Sequence, residues 1–135
     1  MTPPPLALSQ PAVRTRHPAA TPSSQVRFAH PSERLFAWIL DSHDVTWEYE
    51  PVEFVLAWAP DGSPTSGFRP DFWLPDHRCF VELTTADQRL VTRKNAKIRR
   101  LRQLYSEISL LVVYQRDFLA LLSANGLEFA NPSAA

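Results

Sequence analysis

Phe68-Arg69-Pro70-Asp71-Phe72-Trp73-Leu74-Pro75-Asp76-His77-Arg78-Cys79-Phe80-Val81-Glu82-Leu83-Thr84 is the stretch on which the reading of this chain turns. Phe68 to Leu74 and Cys79 to Thr85 are rich in aromatic and β-branched residues, so each reads as a strand. Pro75-Asp76-His77 between them has turn chemistry, which makes the pair a hairpin. Asp71 lies in the middle of the first arm and Glu82 in the middle of the second, with Cys79, Val81 and Leu83 on the other face of the second arm. A carboxylate inside an apolar strand is costly unless it is paired or holds a metal. Arg69 and Arg78 offer each acid an ordinary ion pair. If the two carboxylates share a face, they instead make a seat for a hard divalent cation. Mg²⁺ (or Mn²⁺) takes one or two carboxylates and completes its shell with waters and phosphate oxygens. Such an ion activates a water and stabilises charge on a phosphodiester.

Upstream, Ser32 is a good helix N-cap. Glu33 to Leu40 reads as a helix with Phe36, Ile39 and Leu40 on its apolar side, and Asp41 to Asp44 ends it. Val45 to Glu50 alternates, placing Val45, Trp47 and Tyr49 on one strand face. Pro51 interrupts, Phe54 to Trp58 continues as strand, and Pro60-Asp61-Gly62 begins a turn. Downstream, a long basic helix is expected between Asp87 and Tyr105. Ile108 to Tyr114 is a continuous apolar run, the pattern of a buried parallel strand. Asp117 is expected to cap a last helix reaching about Ser123. Helix, three meandering strands, helix, strand and helix describe an α/β fold. The strand–helix–strand crossover implies a parallel pair at the end of a mixed sheet flanked by helices. Trp38, Trp47, Trp58 and Trp73 lie within these elements and read as core.

The chain has 135 residues, 44% of them apolar, which fits one domain with a real core. Seven of the thirteen prolines fall at or before Pro31. Residues 1–27, with that Pro/Ala/Ser/Thr composition, read as a disordered tail. Residues 28–124 form the expected domain, and 125–135 a flexible end. Cys79 is the only cysteine, so no intrachain disulfide forms, which suits a cytoplasmic setting. No signal-peptide layout is present, and no apolar run approaches the roughly 18 residues of a membrane helix. Three glycines, at 62, 67 and 126, rule out a glycine-rich phosphate loop or dinucleotide fingerprint. There is no serine nucleophile elbow, and one cysteine with scattered histidines speaks against zinc.

Fourteen basic and fourteen acidic residues cancel, but they are unevenly placed. Acids dominate from residue 27 to 88, whereas residues 89–102 carry seven bases and no acid. An acidic region followed by a basic helix suggests an interaction surface.

Pro70-Asp71, ten intervening residues and Glu82-Leu83-Thr84 resemble the PD-(D/E)xK motif of restriction-endonuclease-like nucleases. The flanking text is similar to the endonuclease subunit of Tn7-type transposases. Trp47-Glu48-Tyr49-Glu50-Pro51, a Gly-containing turn, Arg69-Pro70-Asp71-Phe72 and Val81-Glu82-Leu83 recur there in that order. The resemblance covers roughly residues 33 to 116. It implies a restriction-endonuclease-like αβββαβ core and metal-dependent cleavage of DNA. Asp71 and Glu82 would be the metal ligands, and Glu33 the acid that the first helix adds to the catalytic set. DNA is the implied partner, with a further protein partner or a homodimer left open.

The family's lysine belongs two residues after Glu82, where this chain has Thr84. A substitute is legible further on. Against twelve arginines the chain has two lysines, Lys94 and Lys97. At about 100° per helical residue, Leu90, Val91, Ile98, Leu101, Leu104 and Tyr105 share an arc. Lys94 lies near its middle and Lys97 at its edge. Lys94 is therefore expected to face the sheet near Glu82 and serve as the catalytic lysine. The ordinary reading is a packed stem with its amine at the edge. Arg93, Arg99, Arg100 and Arg102 fall outside the arc and, with Lys97, form the expected phosphate-contacting face. If no lysine reaches the site, the expectation changes to a catalytically inactive nuclease-fold module that binds nucleic acid or a partner protein through this helix.

Overall fold

Phe72 is fully buried, and much of the fold is organised around its ring. Phe28, Phe36, Trp47 and Tyr49 all pack on it with centroids 5.2 to 6.2 Å away. In this computed structural model, which describes residues 26–84 and 88–127, three helices and six strands run in the order α1 (Pro31–Ser42), β1 (Glu48–Tyr49), β2 (Phe54–Trp58), β3 (Pro64–Phe68), β4 (Phe72–Leu74), β5 (Cys79–Thr84), α2 (Gln88–Leu104), β6 (Leu110–Tyr114) and α3 (Gln115–Ala124). The molecule is mixed α/β. Its main sheet has the order β1-β4-β5-β6, and β2 and β3 form a separate two-stranded sheet. β1, β4 and β5 are antiparallel neighbours, while β5 and β6 run parallel with Glu82 opposite Val112. The helix between β5 and β6 is the crossover that this parallel pairing requires.

Two apolar clusters lie on opposite faces of the main sheet. One joins Phe36, Ala37, Ile39 and Leu40 of α1 and Phe118 and Leu122 of α3 to Phe72, Val81, Leu83 and Val113. The other joins Ile98 and Leu101 of α2, with Tyr105, to the β2–β3 hairpin, Phe80 and Leu110. Side chains alternate along a strand. Val81 and Leu83 therefore face α1 and α3, and Phe80, Glu82 and Thr84 face α2.

Several sequence expectations are corrected here. Phe68 to Leu74 is two strands, not one, because Pro70 lacks an N–H and Asp71 donates its own to a side chain rather than a ladder partner. Phe68 closes the β2–β3 hairpin, whose second strand, Pro64-Thr65-Ser66-Gly67-Phe68, carries too little apolar patterning to have been read. The three-strand meander is thus replaced by two sheets. In the Val45–Glu50 segment only Glu48 and Tyr49 pair. Asp44 and Glu50 have positive φ (56° and 44°), bending the chain at both ends. Val45, Trp47 and Tyr49 still pack together in the first cluster. The N-cap of α1 is His30 rather than Ser32, with Pro31 opening the helix. Tyr114, not Asp117, caps α3, and Asp117 sits in its first turn. β6 is an edge strand, not a doubly covered one, and its Leu111 is 54% exposed. Trp38 and Leu90 are likewise about half exposed, at 51% and 48%, against the expectation that both pack inward.

The domain limits shift as well. Val26 is buried in the first cluster and Phe28 packs beside it, so the folded part begins before residue 28. At the other end Asn125 meets His43 (Oδ1 to Nε2, 2.9 Å) and Leu127 packs on the core, so the fold extends past residue 124. The rest of the expected tail and end, and Thr85, lie outside the described residues. Among those described, no helix is long and apolar enough to cross a membrane.

Candidate active site

Continuing the β4–β5 register (Phe72 opposite Val81) by one step sets Asp71 opposite Glu82. The two residues are cross-linked by their own backbones. The Asp71 N–H donates to Glu82 Oε1 at 3.0 Å, and the Leu83 N–H donates to Asp71 Oδ2 at 2.8 Å. These bonds substitute for ladder bonds and hold both carboxylates on the α2 side of the sheet. Both residues are buried, at 6% and 3% exposure. The Lys94 ammonium completes the cluster. It lies 2.7 Å from Glu82 Oε2 and donates to the Leu83 carbonyl at 2.8 Å. The arc on α2 that was read from sequence places Lys94 against the sheet at the Glu82 end. Arg69 does not turn to the carboxylates but leans towards Glu53, at 3.8 Å.

Burial raises the proton affinity of both acids. For Asp71 desolvation dominates, and the negative charges on Glu82 and Glu33 add to it, pushing its pKa up to about 9. Desolvation also raises Glu82, but Lys94 beside it works in the opposite direction. The two titrate as a pair. The Lys94 ammonium beside Glu82 favours the ionised form there, so the pair holds its proton more readily on the Asp71 side.

Glu33 stands behind this pair, in the first turn of α1, 4% exposed. Its Oε1 accepts from the Ala29 N–H (3.0 Å), the His30 N–H (3.3 Å) and the Tyr49 hydroxyl. It joins Asp71 through its charge rather than through a hydrogen bond. Tyr49 is a member that sequence reasoning missed as a site residue, though its alternation with Trp47 marked it as inward-facing. Burial, and then its hydrogen bond to Glu33, push the Tyr49 phenol well above its ordinary pKa, so it stays a donor. Thr84, read from sequence only as the place where a lysine is missing, is also part of the site. It is 2% exposed and shares the α2 face with Glu82.

The basic residues of α2 divide by task. Lys97 donates to the Gly67 carbonyl at 3.0 Å, away from the acids, and so ties α2 to the hairpin. Arg100 donates to the Leu56 carbonyl (3.2 Å) and Arg102 to the Leu110 carbonyl (3.0 Å). Arg93 and Arg99 are exposed. Of the expected phosphate-contacting face, Arg93 and Arg99 point to solvent, whereas Lys97, Arg100 and Arg102 each also hold a backbone carbonyl.

Among the described residues no group of three or more His, Cys, Asp or Glu side chains forms a ready metal cluster. The donors present are the two carboxylates of Asp71 and Glu82. Both are hard oxygen donors, and Thr84 Oγ1 on the same strand face is buried with no hydrogen-bond partner among the described residues. Such a set suits an ion that keeps most of its waters, as Mg²⁺ does, and does not suit zinc. No protein-family model, curated protein or solved structure matches this chain.

Proposed function

We propose that this chain is a metal-dependent endonuclease-like domain that hydrolyses DNA phosphodiester bonds, with a restriction-endonuclease-like core. The observation that carries the reading is the convergence of Asp71, Glu82 and Lys94 from three elements onto one buried cluster. A single buried ion pair needs one acid and one base. Here a second acid stands within backbone reach of the first, at a cost in desolvation that shows in its raised pKa. Perturbed pairs of this kind concentrate at functional sites.

Asp71 and Glu82 would hold the Mg²⁺ or Mn²⁺ ion, which when bound supplies Lewis-acid polarisation and lowers the pKa of a coordinated water. Asp71 gives up its proton to take that role. Glu33, fixed by Ala29, His30 and Tyr49, adds negative potential behind the pair. Lys94 is positioned to offset the charge that builds on the phosphodiester as a water oxygen bonds to phosphorus and the P–O ester bond breaks. The leaving oxygen ends with the proton. Lysine suits the task as a compact charge on a flexible stem. The exposed Arg93 and Arg99 lie on the helix that carries Lys94 and would meet DNA phosphates, in concert with Lys97, Arg100 and Arg102.

A second reading has its own support. Lys94 is held by Glu82 and Leu83, as it would be in an inert pair, and a catalytically inactive module would then bind nucleic acid or a partner protein through α2. Nicking of supercoiled plasmid with Mg²⁺ or Mn²⁺ separates the two. Loss of metal-dependent nicking in Asp71→Ala, Glu82→Ala and Lys94→Ala supports the nuclease. Nicking that survives Lys94→Ala removes the lysine's role. No nicking by the wild type under either metal, with DNA still retained in a gel shift, supports the binding module.

A further inference from the structure

Thr84 Oγ1 is a hydroxyl in the interior of the fold that finds no hydrogen-bond partner among the described residues. Its residue is one of the most completely buried in the protein. Buried polar atoms are nearly always paired, and one that is not calls for a physical account. Valine has almost the same shape, suits a strand equally well and leaves nothing unsatisfied. The location of the hydroxyl supplies the account. Thr84 follows Glu82 by two residues on β5, so the two side chains stand on the same face, about 6.5 Å apart along the strand. The residue between them, Leu83, offers its carbonyl to Lys94. One water bridges two oxygens that lie about 4.5–5.6 Å apart, a separation that two side chains leaning towards each other from neighbouring positions on one strand face can reach.

We propose that the Thr84 hydroxyl is a water-positioning group, holding an ordered water on the α2 face of β5 next to Glu82 and Lys94. The use of that water as the attacking nucleophile rests on the nuclease reading above; the water site itself does not. The hydroxyl both accepts and donates, so it can fix the orientation of a water whose other contacts are Glu82 and the Lys94 ammonium. In this arrangement the position after the second acid is not an empty place where a lysine once belonged. The charge comes from α2 and the hydrogen bond from the strand, so two residues share the work of one.

The test uses the full chain as wild type, Thr84→Val and Thr84→Ser. A high-resolution crystal structure of each is read for a water in hydrogen-bond contact with Oγ1. Thermal melts without divalent cation, melts with Mg²⁺ and single-turnover plasmid nicking complete it. The expected results are a water in wild type and Thr84→Ser but not in Thr84→Val. Thr84→Val should melt at or slightly below the wild-type temperature without cation, since it loses the hydroxyl's bond to the water, and should keep its Mg²⁺-induced rise because Asp71 and Glu82 are intact. Its nicking rate should fall about tenfold, the worth of one well-placed hydrogen bond, with substrate affinity unchanged. Thr84→Ser should restore the rate. Absence of the water from wild type overturns the proposal, as does a Thr84→Val protein that melts clearly higher, which would show the hydroxyl to be unsatisfied and to hold no water. A water present in a wild type that nicks DNA under no metal leaves the water site standing and removes the nuclease reading.

Discussion

Replacing Asp71 by asparagine is expected to stabilise the metal-free protein at pH 8. Desolvation, with Glu82 and Glu33 adding to it, raises the Asp71 pKa from 3.8 to about 9. At pH 8 the unfolded chain has released this proton and the folded chain retains it. A folded-state pKa above the unfolded one gives stability that is fully present below the unfolded value and is lost as pH rises through the folded value. The window here runs from about pH 4 to about pH 9. One pKa unit corresponds to about 1.4 kcal/mol, so four units between pH 4 and pH 8 set an upper bound of about 6 kcal/mol. Charge sharing with Glu82 and the high effective dielectric of real protein sites reduce this to roughly 2–3 kcal/mol. Asparagine is isosteric, keeps an oxygen for the Leu83 N–H and cannot ionise. The Asp71→Asn protein should therefore melt on the order of 10 °C above wild type at pH 8, and the two should converge near pH 4. Thermal melts in EDTA across pH 4 to 9 measure this directly. A variant that melts at or below wild type at pH 8, or a gap that does not grow with pH, would refute the picture of a buried, proton-holding Asp71. Mg²⁺ should raise the wild-type melting temperature at pH 8, and more than at pH 6, because binding must release that proton.

Other outcomes follow from the same geometry. Lys94→Ala should lower metal-dependent nicking by about 10²-fold or more, as loss of a transition-state charge partner does, and adding Thr84→Lys to it should recover part of the rate by returning an amine to the strand; plasmid nicking reads both. Arg93→Ala with Arg99→Ala should weaken DNA retention and flatten its salt dependence, with the slope of log affinity against log salt falling by about two, measured by gel shift or anisotropy. Phe72→Ala should cost about 3–5 kcal/mol by denaturant unfolding, since four rings pack on it; a cost below about 1 kcal/mol would mean that the first apolar cluster does not form as described.

Much of the site could be read from the order of residues because its logic is local. Asp71 and Glu82 announced themselves as charges inside apolar strands, and a tight turn between two strands leaves little freedom in which positions face each other. Lys94 could be placed because a helix has a fixed period and its apolar arc must face the core. The same reasoning failed where local patterning is silent. Pro64 to Phe68 has few strand-forming residues and becomes a strand because the Phe54–Trp58 segment offers it a partner. Leu90 fits the arc of α2 but lies in its first turn, beyond the edge of what the sheet covers, and stays exposed.

The chain's own sequence thus determined which residues carry charge into the interior, the period and limits of the long helix, and the parallel pairing that this crossover demands. Only the tertiary structure decided how those pieces close on one another. It divided the expected meander into two sheets, because Pro70 and Asp71 spend their backbone positions on a bend and a side-chain bond rather than on a ladder. It brought Tyr49 to Glu33 and set the Lys94 ammonium between Glu82 and Leu83. It also left Thr84 Oγ1 with no hydrogen-bond partner among the described residues. Such facts depend on distances between segments far apart in the chain. Periodicity constrains which face a residue occupies, but hydrogen-bond satisfaction and burial are properties of the assembled interior, and no window of sequence contains them.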